Sequence, residues 1–165
     1  MSLAAENTVK PAIIVISSHV IRGSVGNRAA VFALEAFGFR VWVVPTVTLP
    51  WHPGHGPATQ LVHDDTQFHS AIEDLTSAHW LSEVGAVLTG YMANASQVSS
   101  IAYLIKCVRA KNPDLVYLCD PVIGDADTLY VPEDIAVSIR DLLLPMGDIS
   151  TPNRFELSWL TGKTT

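Results

Sequence analysis

The chain has 165 residues, 48% of them hydrophobic, and a mean hydropathy of +0.29, which suits one globular domain with a sizeable core and excludes an extended disordered tract. Its formal charge of −6 and sequence pI near 5.4, with no run of Lys or Arg interleaved with aromatics, exclude a nucleic-acid footprint. The opening Met1-Ser2-Leu3-Ala4-Ala5-Glu6 lacks a basic n-region, and the apolar run after Pro11 is too short to span a bilayer, so a cytoplasmic protein with no membrane partner is expected.

Residues 1–11 read as a disordered leader, followed by one domain over 12–165. The apolar run from Ala12 predicts a buried strand over about 12–17 that ends on Ser17-Ser18-His19. Ser18 and His19 invite a nucleophile and base, but neighbours on a strand point to opposite faces, and no G-x-S-x-G elbow accompanies them. Arg22-Gly23-Ser24-Val25-Gly26-Asn27 has G-x-x-G spacing and not the dinucleotide fingerprint, so its glycines are read as letting a turn lie close to a substrate. Gly26-Asn27 opens a helix that Gly38 closes, and a second strand follows at about 40–45. Residues 46–60, with Pro50, Pro53, Pro57, Gly54 and Gly56, form an irregular segment of a length that suits a lid over a crevice. His52, His55 and His63 lack a cysteine or acid at ligand spacing, which argues against zinc.

Asp64 or Asp65 caps the next helix, whose Phe68, Ile72 and Leu75 share a face. A third strand is expected at about 84–89, then a helix capped by Ser96 with Val98, Ile101, Ile105 and Val108 at helical spacing. Cys107 and Cys119 fall in that helix and in the next strand, where reduced structural thiols sit. The run Leu115-Val116-Tyr117-Leu118-Cys119 is apolar on both faces and stops on Asp120-Pro121-Val122-Ile123-Gly124-Asp125, delivering two acids where a parallel strand ends. Pro132 sits in the first turn of a fourth helix, and a strand at about 147–150 leads into Thr151-Pro152-Asn153-Arg154-Phe155-Glu156. An Asn cap with Glu three residues on is a capping box, a role compatible with holding metal-bound water. Gly162-Lys163-Thr164 looks like the end of a P-loop, but position 157 is Leu157, and Gly162 reads better as a helix C-cap. Strands alternating with helices predict a parallel sheet with helices on both faces and with Ser18, Tyr91, Asp120 and Thr151 at one sheet edge.

With these residues placed, the sequence resembles the pyridoxal kinases of the ribokinase-like superfamily from Ala12 onward. The resemblance is carried by Ile16-Ser17-Ser18-His19-Val20 with Gly23 and Val25-Gly26-Asn27-Arg28-Ala29-Ala30, and by Thr89-Gly90-Tyr91. Further on it is carried by the Asp120–Asp125 motif, by Tyr130-Val131-Pro132-Glu133-Asp134, and by Thr151 through Leu157. It implies a three-layer α/β/α domain with a mostly parallel sheet, represented by its N-terminal part and truncated at the C-terminus. The implied activity is ATP-dependent phosphorylation of the 5′-hydroxymethyl group of pyridoxal, and of pyridoxine and pyridoxamine. Carried over by position, Ser18 meets the pyridine nitrogen, while His52, Tyr91 and Tyr130 complete the substrate side. Asp120, Thr151, Asn153 and Glu156 belong to the ATP side, and Asp125 and Glu156 to Mg²⁺. A monovalent cation and a homodimer are further implications.

Two departures stand out. Trp51-His52-Pro53 puts a proline where the family has a substrate-contacting threonine. The superfamily's Gly-Thr-Gly-Asp anion hole, catalytic Asp and adenine-binding strands lie in its C-terminal part, beyond Thr165, so no catalytic residue is assigned and the chain alone is expected to be inactive. Two other functions stay open: a hydroxymethylpyrimidine-type kinase of the same fold, and a noncatalytic binding or dimerisation module.

Overall fold

The structure, a computed structural model, describes residues 10–163. The expected leader therefore lies outside the described residues, apart from Lys10 and Pro11. Lys10 is tied down, donating to the Phe37 carbonyl and lying over the Phe39 ring.

The elements alternate as expected: β1 (Ala12–Arg22), α1 (Asn27–Ala36), β2 (Arg40–Trp51), α2 (Asp65–Ser77), β3 (Val84–Thr89), α3 (Ala95–Lys111) and β4 (Val116–Cys119). A small antiparallel pair follows, β5 (Gly124–Asp125) with β6 (Thr128–Leu129), then α4 (Glu133–Ser138), β7 (Ile149–Ser150) and α5 (Arg154–Thr161). The main sheet has five strands in the order β2-β1-β3-β4-β7, all parallel. The β1-to-β2 crossover runs one way along the sheet, and those through α2, α3 and α4 run the other. Right-handed connections therefore put α1 on one face and α2, α3 and α4 on the opposite one.

The core lies on the second face. Ile14, Ile16, Phe68, Val87, Ile101, Ile105, Tyr117 and Ile135 pack there, none more than 5% exposed. Each fully buried aliphatic of this kind contributes roughly 1.5–3 kcal/mol. α4 keeps its apolar face buried as it continues through one wide turn, and Pro145 in the following tight turn stops it. On the other face α1 buries only Asn27, leaving Phe32 77% exposed. Among the described residues no helix is long and apolar enough to cross a membrane.

The structure corrects three local expectations. β1 and β2 do not stop near residues 17 and 45 but stay paired to Arg22 and Trp51, so the first part of the expected lid, 46–51, is strand. Pro45 has no N–H for the ladder, and the pairing absorbs it with a bulge: Ser17 faces Pro45 while His19 faces Thr48. The Asn27 amide supplies the missing donor, binding the Ser17 carbonyl at 2.7 Å and that of Val44 at 3.5 Å. The cap of α3 is Asn94, whose Oδ1 accepts the Gln97 N–H at 2.8 Å, and Ser96 is already inside the helix. Pro132 is the N-cap of α4 and precedes its first turn.

Candidate functional site

Parallel strands share one carboxyl end, and the outward arm formed by the far halves of β1 and β2 walls one side of it. A cavity of about 650 Å³ opens there, lined by Ser17, Ser18, Gly26, Leu49, His52, Pro53, Tyr91, Val122, Asp125, Tyr130, Asn153 and Asp120, among others. Of the residues expected at the site, Ser18, His52, Tyr91, Tyr130, Asp120, Asp125 and Asn153 are thus brought together. Thr151 stands one contact behind, its hydroxyl bonded to Asp120, and Glu156 is buried beneath the loop after β4.

Ser18 owes its place to the bulge and to Gly26. The glycine has φ 56°, and a Cβ there would collide with the Ser18 carbonyl and lie 2.6 Å from its hydroxyl. Only a residue without a side chain lets the start of α1 lie against the end of β1. Next to it, Tyr91 is held by its main chain: its N–H donates to Ser17 Oγ at 3.2 Å and its carbonyl accepts from Thr46 Oγ1 at 2.7 Å. Ser17 and Thr46 were not singled out from the sequence; both are small hydroxyls inside apolar strands, a pattern that buried backbone partners explain. Beyond β2 the chain turns tightly. His52 caps a tight turn, its Nδ1 accepting the Gly54 N–H at 3.1 Å, and Pro53 occupies the turn's first position.

The acids divide by environment. Glu156 completes the capping box: Oε2 accepts from the Asn153 N–H at 2.8 Å, while Oε1 takes those of Ile123 at 3.0 Å and Gly124 at 3.4 Å. It thereby fixes the loop after β4 to the start of α5. Asn153 adds a bond from its amide to the Gly124 carbonyl at 2.8 Å. Asp125 is exposed and caps the following turn through Ala126 N–H at 2.7 Å. Asp120 is half-buried, and burial raises its carboxyl above the ordinary range while the Thr151 hydroxyl pulls it back. Burial raises the Tyr130 phenol to about 12, with the charges of Glu156, Asp120 and Asp125 adding to it.

The carboxyls of Asp120 and Asp125 thus concentrate negative charge in the cavity lining. A bound cation would offset that charge for a phosphate entering beside it. No cluster of three His, Cys, Asp or Glu able to enclose a metal occurs among the described residues. Asp120 and Asp125 instead fit a hard ion that keeps one or two carboxylates and takes its other oxygens from phosphates and water, as Mg²⁺ does.

No family profile matches the chain. It is 38% identical to the pyridoxal kinase of Sus scrofa over 155 residues, which is 92% of this chain and 48% of that protein. Its structure is similar to a pyridoxal kinase from Leishmania donovani in complex with ADP and pyridoxamine, with a TM-score of 0.86, 36% identity, and coverage of 93% of this chain and 53% of the other. It is also similar to a putative phosphomethylpyrimidine kinase from Bacteroides thetaiotaomicron, with a TM-score of 0.83 and 25% identity over 98% of this chain and 54% of that one. The chain spans about half the length of the curated relatives it matches.

Proposed function

This chain is a homologue of the pyridoxal kinases over their N-terminal portion, and from that kinship we propose that it carries the vitamer-binding crevice and metal-side carboxylates of an ATP-dependent phosphotransferase. The observation that supports it most is the convergence of Ser18, Tyr91, Tyr130 and Asp120 on one cavity beneath the His52 turn. The cavity is the size of a small-molecule site.

In this reading the Ser18 hydroxyl meets the pyridine nitrogen, and the Tyr91 and Tyr130 rings flank the flat ring of pyridoxal. His52 closes over it from the lid. The 5′-hydroxymethyl then points toward Asp120, where the ATP phosphates arrive. Thr151 keeps the Asp120 carboxylate oriented, and Asn153 and Glu156 hold the loop on which Asp125 stands. Bound Mg²⁺ would be held by Asp125 beside Asp120, with Glu156, which the resemblance also assigns to the metal, reaching it through water, and would offset the phosphate charge. Phosphoryl transfer depends on positioning and on stabilising charge at the γ-phosphate. These residues supply the positioning. The groups that the resemblance assigns to proton abstraction and to the anion hole have no match among them, so the 165 residues bind vitamer without turning it over. A monovalent cation and homodimerisation, which the kinship also implies, belong to the same reading and are tested by K⁺ titration and sedimentation velocity.

The likeness to a putative phosphomethylpyrimidine kinase favours, as second reading, a hydroxymethylpyrimidine substrate. Competition between pyridoxal and hydroxymethylpyrimidine for the purified chain separates the two. Pyridoxal phosphate formation with ATP and Mg²⁺ is then compared between this chain and one carrying the relatives' remaining half. Preference for pyridoxal, with turnover only in the longer protein, is expected; preference for the pyrimidine overturns the vitamer assignment, and comparable turnover by both overturns the division of labour.

A further inference from the structure

Among the polar side chains buried as deeply as the apolar core are Thr46 at 0% and Gln97 at 1% exposed. Both lie where regular backbone pairing stops. Thr46 follows Pro45 in the bulge at the root of the β2 arm, and Gln97 is in the first turn of α3, just after the loop that carries Tyr91.

Their bonds form one connected set. Thr46 Oγ1 donates to the Tyr91 carbonyl at 2.7 Å, and Gln97 Nε2 donates to the Thr46 carbonyl at 2.9 Å. Gln97 Oε1 accepts the Ala93 N–H at 3.0 Å, and its own N–H is taken by Asn94 Oδ1 at 2.8 Å. On its other side the Tyr91 N–H is held by Ser17 Oγ. The strand that leads out to His52 and the loop that carries Tyr91 are therefore tied to each other through buried groups. A leucine at 97 would suit the stripe formed with Ile101, Leu104 and Val108. It would leave the Thr46 carbonyl and the Ala93 N–H buried without partners, which is why a polar residue is held there.

We propose that Thr46 and Gln97 are positioning residues that latch Tyr91 to the root of the lid arm, setting the width of the crevice for a flat aromatic ring. Neither lines the cavity. They act through Tyr91 and through the strand bearing His52. The inference rests on the vitamer-binding reading for its consequence, while the latch itself stands on the bonds above.

Thr46→Val removes only the hydroxyl, and Thr46→Ser restores it. Gln97→Glu keeps the acceptor for Ala93 but loses the donor facing the Thr46 carbonyl. Ser100→Ala serves as control, since Ser100 is buried on the same helix but bonded to His69. The measurements are pyridoxal affinity by calorimetry and amide exchange at Tyr91 and Ala93 by NMR. Thr46→Val and Gln97→Glu should each weaken pyridoxal about tenfold and speed both amides, with Thr46→Ser within about twofold of the parent. Gln97→Glu should regain affinity as the pH is lowered, because a protonated carboxyl again offers a donor. Unchanged affinity in Thr46→Val, or an equal loss in Ser100→Ala, overturns the positioning role. If the parent chain binds no vitamer, the functional reading fails, and the exchange rates decide the latch. Faster exchange at Tyr91 and Ala93 in Thr46→Val than in Ser100→Ala upholds it, and equal rates refute it.

Discussion

The Thr151 hydroxyl donates to Asp120 Oδ1 at 2.8 Å, joining the residues that follow β7 and β4 across the mouth of the crevice. It opposes the effect of burial on this carboxyl. Because burial dominates, Asp120 holds its proton to higher pH in the folded chain than in the unfolded one. Above the ordinary Asp pKa of about 3.9 the unfolded state is the more ionised, so this group's contribution to stability is lost as pH rises through its folded pKa. Asp120→Asn should therefore flatten the stability profile over that window and raise the melting temperature at neutral pH. The same substitution should abolish stabilisation by ADP with Mg²⁺. Thermal melts across pH, with and without ADP and Mg²⁺, check both outcomes; an unchanged profile contradicts the assignment of Asp120.

Gly26 makes a second test. Alanine at this position meets the Ser18 carbonyl and hydroxyl and is strained at φ 56°. Gly26→Ala should cost on the order of 1–3 kcal/mol in denaturant unfolding and displace Ser18 from the crevice. Pyridoxal affinity should fall further than the stability loss alone explains. Crystals of the variant with an unmoved Ser18 would contradict this.

Glu156 tests whether a buried acid is structural. Its oxygens take three main-chain N–H groups from two segments. Glu156→Ala strands those donors and should cost on the order of 3 kcal/mol, measured by urea unfolding. If its main duty were to a metal, the loss in the metal-free chain would be no more than the roughly 1 kcal/mol of a helix cap.

Much of this arrangement was legible in the residues. Apolar runs ending before Tyr91, Asp120 and Thr151 located strand ends, while the one ending on Ser18 located only the bulge from which β1 continues to Arg22, and Asp64, Asn153 and Gly162 marked helix termini that the structure keeps. What escaped depends on contacts distant in sequence. Pro45 signals a strand stop because it removes a ladder donor, and nothing local reveals that Asn27, at the start of α1, donates to the carbonyl of Ser17 opposite it. Irregular chain is consequently expected from 46, whereas β2 runs to Trp51. Asn94 and Ser96 are both good caps, and the choice between them is made by Gln97, whose N–H meets Asn94 and whose side chain is drawn into the core. A polar residue on the apolar stripe of α3 was the available signal for that buried network.

Pro53 carries the next prediction. The resemblance implies a threonine hydroxyl at this place, whereas here a proline begins the tight turn capped by His52. Pro53→Thr should tighten pyridoxal binding by about 1 kcal/mol, the net worth of one hydrogen bond, less whatever is lost as the turn becomes more flexible. Calorimetric titration showing equal or weaker affinity would mean that the lid meets the vitamer through His52 alone.

The central claim is that these residues hold a pyridoxal-binding crevice built on Ser18. Titration of pyridoxal into the purified chain, beside Ser18→Ala, tests it most directly, because the substitution removes one hydroxyl at the base of the cavity and leaves the bulge and Gly26 intact. One-to-one binding by the parent, weakened about tenfold in Ser18→Ala for loss of a single hydrogen bond, is the predicted result. Equal affinity in the two proteins, or no binding by the parent chain, would contradict it.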